Sequence, residues 1–228
     1  MFEYLRHLGY SDIVYEPVSN RPPDFVVDRR IAVEARILNQ NFESDSEYEG
    51  LEETAIPLRD RLKRLFREIG PSPVAKSWFF SYQFQRPLPD WSILKPQIKD
   101  ELLEFLKKRI ERDHYSAELD DVFEFDLNAM AAPRAQAFVL GGYADHDAGG
   151  WVVSEMIRNI NLVTVEKAGK IAGVSTTYDE WWLALVNNVG PWLDADEISL
   201  IREKVKVPAI WSQVLIVSRF NLDASFSL

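Results

Sequence analysis

The chain has 228 residues, no cysteine, three histidines and a formal charge of −10, which excludes a disulfide framework, a thiolate metal site and a histidine-rich zinc centre. Hydrophobic residues at 46% and charged residues at 27% give the balance of a folded globular protein and exclude a largely disordered one. The negative total opposes diffuse attachment to nucleic acid but leaves room for a local basic groove, and any metal would be held by oxygen, as magnesium, manganese and calcium are.

The start "MFEYLRHLGY" lacks the basic stretch and apolar run of a signal peptide. No apolar stretch reaches the roughly 20 residues needed to span a bilayer. The expectation is a cytoplasmic protein with no membrane partner. Residues 2–9 predict a short helix closed by Gly9, with Phe2, Leu5 and Leu8 on one face. "DIVYEP", "DFVV" and "IAVEARIL" follow as three strands, separated by the turn-rich "VSNRPP" and by the charged break Asp28, Arg29, Arg30. A helical pattern over 47–69 places Leu51, Leu58, Leu62, Leu65, Phe66 and Ile69 on its apolar side, with Pro57 expected to split or kink it. The aromatic "SWFFSYQF" then reads as a strand, so that residues up to about 84 read as α-β-β-β-α-β.

The second half predicts a helix over 92–114, strands at "VFEFDL" and "QAFVLGGY", a helix around 151–172, a strand "WWLALVNN", a short helix from Asp194 and a last strand "QVLIVSRF". There is no internal repeat and no clear linker, so the fold class is α/β with a mixed central sheet. A single domain over 1–228 is expected, with a core over about 1–84 and an extension over about 90–228.

Within "IAVEARIL" the alternation of a strand puts Ile31, Val33, Ala35 and Ile37 on one side and Glu34 and Arg36 on the other. If Asp28 to Arg30 form a three-residue loop, Val27 faces Ile31, Phe25 faces Val33 and Asp24 lies opposite Glu34. Opposed carboxylates repel. A divalent cation, a nearby arginine or protonation of one partner would offset the repulsion.

Pro23-Asp24 followed by Glu34-Ala35-Arg36 on the next strand, within an α-β-β-β-α-β run, resembles the core of the PD-(D/E)XK nuclease superfamily over about the first 84 residues. The resemblance implies a restriction endonuclease-like core and a magnesium- or manganese-dependent phosphodiesterase acting on DNA. Asp24 and Glu34 would bind the ion, with the Ala35 carbonyl beside them and Glu16, or less directly Glu3, as the additional upstream acid. Arg36 departs from the motif, which has lysine there. A guanidinium stays protonated and cannot take a proton from water, so Arg36 would bind phosphate or stabilise developing charge. A different class of function, a non-catalytic nucleic-acid- or protein-binding module on the same scaffold, remains open.

Asn39 and Gln40 could touch a phosphate or simply end the strand. Arg59, Lys63 and Arg67, spaced i, i+4 and i+8, form a basic helical stripe suited to phosphates or to a solvated face. "KKRIER" reads as a surface helix, and Trp181, Trp182, Trp192 and Trp211 read as core. Asp145, His146 and Asp147, between glycine pairs, could bind a cation through the acids or an anion through helix N-terminal amides, or form a flexible connection. No Walker lysine, HExxH, GxSxG or EF-hand loop is present.

Overall fold

The computed structural model describes residues 1–18, 21–44 and 47–228. In chain order the elements are α1 (Phe2–His7), β1 (Ile13–Tyr15), β2 (Phe25–Val27), β3 (Ile31–Leu38), β4 (Asn41–Ser44), β5 (Glu47–Gly50), α2 (Leu51–Ile69), β6 (Trp78–Phe84) and α3 (Trp91–Lys108). They continue with β7 (His114–Asp120), β8 (Phe123–Ala129), β9 (Phe138–Asp145), α4 (Val152–Ile171), β10 (Glu180–Asn187), α5 (Ala195–Lys204), β11 (Gln213–Ser218) and β12 (Phe226–Ser227). The fold is mixed α/β. Among the described residues no helix is long and apolar enough to cross a membrane.

Two compact units are present, residues 1–41 with 150–228, and residues 42–149. This differs from the expected single domain with a core over about 1–84. The first unit is built on a six-stranded sheet in the order β1-β2-β3-β10-β11-β12. β1, β2 and β3 form an antiparallel meander, while β3, β10 and β11 run parallel. Strands buried on both faces carry near-continuous apolar runs, and "WWLALV" and "VLIV" do so. On one face Tyr4 and Leu5 of α1 pack with Phe25, Val27, Ile31, Val33, Trp182 and Val217. On the other, Val153, Met156, Ile160, Val163 and Ile171 of α4 pack with Ala32, Leu38, Leu183 and Ile216.

The second unit has a sheet in the order β7-β8-β6-β9, with β6 and β9 parallel and the other pairs antiparallel, and β4 and β5 form a separate two-stranded sheet. Alternation along β6 buries Trp78, Phe80, Tyr82 and Phe84 against Leu58, Leu62, Leu65 and Phe66 of α2 and Leu94, Ile98, Leu102 and Phe105 of α3.

In the first unit α1, β1, β2 and β3 are followed by α4 and β10, not by the expected helix over 47–69 and strand "SWFFSYQF". The helix and strand next in sequence, α2 and β6, belong to the second unit. Periodicity identifies an element without saying which strand it will join, and the strand paired with β3 in parallel is β10. Pro57 neither splits nor ends α2, because Leu51 and Ala55 before it and Leu58 and Leu62 after it all bury on one face. The predicted helix over 92–114 stops at Lys108, and His114 opens a strand. Trp192 is 79% exposed rather than core, whereas Trp181, Trp182 and Trp211 are buried as expected.

Candidate functional site

The hairpin has the register that its apolar alternation dictates, Phe25 against Val33 and Val27 against Ile31. Asp28 and Arg29 in the connection take left-handed backbone, with φ of 50° and 60°. Asp24 precedes the paired stretch, and its Oδ2 accepts the Ala35 N–H at 2.7 Å. The carboxylate is thereby fastened to the backbone of β3 next to Glu34.

Glu34 does not close on Arg36. It lies on the face of β3 that α4 covers, and its Oε1 accepts from Lys167 Nζ at 2.6 Å. The two side chains are only 6% and 13% exposed. The other oxygen, Glu34 Oε2, is buried and has no hydrogen-bond partner. Arg36 instead donates through Nη1 to Glu166 Oε2, and Lys170 donates to Glu166 Oε1 at 2.7 Å. Burial opposes ionisation of Glu166, but the hydrogen bond from Lys170 and the charge of Arg36 outweigh it and lower its pKa.

A buried carboxylate oxygen without a donor is costly, and a proton, a water or a hard cation would satisfy it. Magnesium is commonly held by one or two carboxylates with the remaining positions left to water and phosphate. Asp24 and Glu34 are two carboxylates held to β3, one by the Ala35 amide and one as a residue of the strand. Among the described residues no group of three or more acidic or histidine side chains assembles for a metal, so any site here is of the two-carboxylate kind.

Glu16, the expected third acid, lies beside Asp24 through its backbone, its N–H donating to the Asp24 carbonyl at 2.8 Å. Its carboxylate is exposed and accepts from Tyr15 at 2.8 Å. Glu3 is exposed on α1. Asn39 Oδ1 accepts from Asn188 at 2.8 Å, and Gln40 is half-buried beyond the end of β3. Arg59, Lys63 and Arg67 lie on α2 in the second unit, the two arginines exposed. Thus Asp24, Glu34 and Arg36 occupy one hairpin of the first unit, and the basic stripe belongs to the other.

Two groups escaped the sequence reading. Lys167 falls on the apolar stripe Val153, Met156, Ile160, Val163, Ile171 of α4, and a lysine at a core position of an amphipathic helix is the signal that marks it. In the second unit, Asp145 and Asp147 are engaged by a buried side chain, Arg86. Its guanidinium meets Asp145 at 2.7 and 2.9 Å, Asp147 at 3.2 Å and the Leu51 carbonyl at 2.7 Å. Compared with models of known protein families, with curated proteins and with solved structures, the chain matches none.

Proposed function

We propose that the first unit is a magnesium- or manganese-dependent phosphodiesterase that acts on DNA, with a PD-(D/E)XK nuclease-like core made of α1, β1, β2, β3, α4 and β10 and with the second unit inserted between β3 and α4. The observation that carries this reading is the buried, unpartnered Oε2 of Glu34 next to a carboxylate that is docked on the Ala35 N–H. Asp24 and Glu34 would hold the ion. When bound, it would lower the pKa of a coordinated water and neutralise charge on the scissile phosphate.

The chain's own residues have distinct parts. Asp24 is oriented by the Ala35 amide, so its second oxygen is free of the rotational search that a loop carboxylate would make. Lys167 fixes Glu34 through Oε1, and its ammonium would be the buried cation of the site, a charge suited to an oxyanion developing on phosphate. Arg36 is engaged with Glu166 and orients the exposed side of α4. That engagement favours the second reading, a non-catalytic module for nucleic acid or protein on the same scaffold, because it occupies the side chain at the motif position.

The test is nicking of supercoiled plasmid with Mg2+ or Mn2+. The expected result is cleavage by the wild type, loss of at least about a hundredfold in Asp24→Asn and Glu34→Gln, and retention in Arg36→Lys. Absence of nicking with either metal gives the non-catalytic reading.

A further inference from the structure

The parallel strands β3, β10 and β11 end at Leu38, Asn187 and Ser218, and the residues just beyond them are joined side chain to side chain. Asn188 Nδ2 donates to Asn39 Oδ1 at 2.8 Å, and Arg219 Nη1 donates to Asn188 Oδ1 at 2.8 Å. Next to this polar chain Trp192 and Phe220 stack, with ring centroids 5.7 Å apart and 15° between their planes. They are nonetheless 79% and 68% exposed. The two near-parallel rings are offset, and most of the surface of both stays open to solvent.

Both turns that carry these rings are braced. The Asn187 side chain binds the first, donating to the Gly190 carbonyl at 2.6 Å and accepting from the amides of Val189 and Gly190 at 3.0 Å. A Cβ on Gly190 would lie 2.7 Å from Val152 Cγ1, so this turn sits directly on the start of α4. In the second, Ser218 Oγ accepts from the amides of Phe220 and Asn221 at 3.4 and 3.2 Å. A cavity of about 190 Å³ lies between them, with Trp192, Ser218, Asn221 and Phe226 in its wall.

Ligands of open α/β sheets bind outside the carboxyl ends of the parallel strands, which is where this pair stands. We propose that Trp192 and Phe220 form a stacking platform for an unpaired base of a nucleic-acid strand, with Arg219 at the adjacent phosphate. This rests on the phosphodiesterase reading and narrows its substrate to DNA with single-stranded character. Flat outer π-faces suit any base that is free of its duplex stack, and a paired base cannot present its face to them. Asp194 and Glu197 at the start of α5 are engaged in a reciprocal cap, and with a chain charge of −10 phosphate attraction supplies little. Stacking therefore carries the affinity, and its dependence on salt is shallow.

The experiment is fluorescence anisotropy with a labelled oligo-dT and with a duplex of equal length, in EDTA so that cleavage plays no part. Wild type, Trp192→Ala/Phe220→Ala and Arg219→Ala are compared, with circular dichroism confirming that each is folded. The expected result is preference for the single strand, a loss of about tenfold or more in the double variant, and a log–log salt slope of about −0.7 for one neutralised phosphate that vanishes in Arg219→Ala. Equal binding by the double variant, or preference for the duplex, overturns the platform. So does a change in the double variant from dimer to monomer by sedimentation without loss of oligo-dT binding, which makes the rings a contact between copies. Metal-dependent plasmid nicking by a chain lacking this preference refutes the platform alone, and oligo-dT binding without nicking refutes the phosphodiesterase alone.

Discussion

Glu34 and Lys167 are each a charged residue in an otherwise apolar pattern, one in a buried strand and one on the buried stripe of a helix, and they meet at 2.6 Å. A buried ion pair gains little net stability, but removing one partner leaves the other charge stranded. Lys167→Met should therefore destabilise the protein by about 3–5 kcal/mol, and Glu34→Leu with Lys167→Leu should be neutral or stabilising by about 1–4 kcal/mol. Urea denaturation followed by tryptophan fluorescence measures both. A double variant more stable than the wild type would mean that the pair is kept for what it does. At the exposed side of α4, Glu166 has its pKa lowered from the ordinary 4.5, burial opposing but Lys170 and Arg36 outweighing it. Its stabilisation is present above pH 4.5 and is lost as pH falls through the lower folded value. Glu166→Gln should flatten the acid limb of a stability profile below pH 4.5 and leave neutral pH little changed.

Elements were legible where a strong period coincided with turn chemistry. β2 and β3 carry strict alternation around Asp28 to Arg30, and their register follows from it. α4, β10 and β11 are long apolar patterns of one kind each. β5 and β7 were missed because "EYEG" and "HYSAELD" are polar, short and adjacent to helical patterns that absorb them, and β7 buries little of its surface. Among the side chains, Asp24, Glu34 and Arg36 were legible because they stand out within ten or so residues. Lys167 was not, since its partner is 133 positions away. Arg86 was hidden for the same reason. It lies two residues past the end of β6, and its counterions are the last residue of β9 and the second residue beyond it, 59 and 61 positions later. With its side chain 2% exposed, Arg86 joins the close of β6 and of β9 to the first turn of α2. Arg86→Met should cost about 3–5 kcal/mol by stranding two carboxylates, and Arg86→Lys should recover only part of this because an ammonium lacks the bidentate fork that Asp145 accepts. Thermal unfolding of the two variants against the wild type checks the order.

For the whole molecule, the sequence order of elements was misleading at one point, the switch from the first unit to the second after β3. A chain that leaves the first unit after Asn41 and returns to it only at residue 150 gives no local sign of the departure. Asn41 stays tied to the first unit, its N–H and side chain donating to Asn159 Oδ1 at 3.0 and 2.7 Å. Asn159 stands seven residues into α4, about 10 Å from its start. A linker of roughly eight glycine and serine residues spans that length. Replacing 42–149 with such a linker should therefore leave a protein that folds cooperatively, with the β3-β10 pairing protected in hydrogen exchange. A chain that collapses without protection would mean that the inserted unit is needed for the sheet. The central claim, that Asp24 and Glu34 form an oxygen site for a divalent ion, is met most directly by isothermal titration of Mn2+ into the wild type, Asp24→Asn and Glu34→Gln. The account predicts binding of about one ion per chain, weakened tenfold or more by either substitution. Failure of the wild type to bind at millimolar Mn2+, or equal binding by all three proteins, would contradict it.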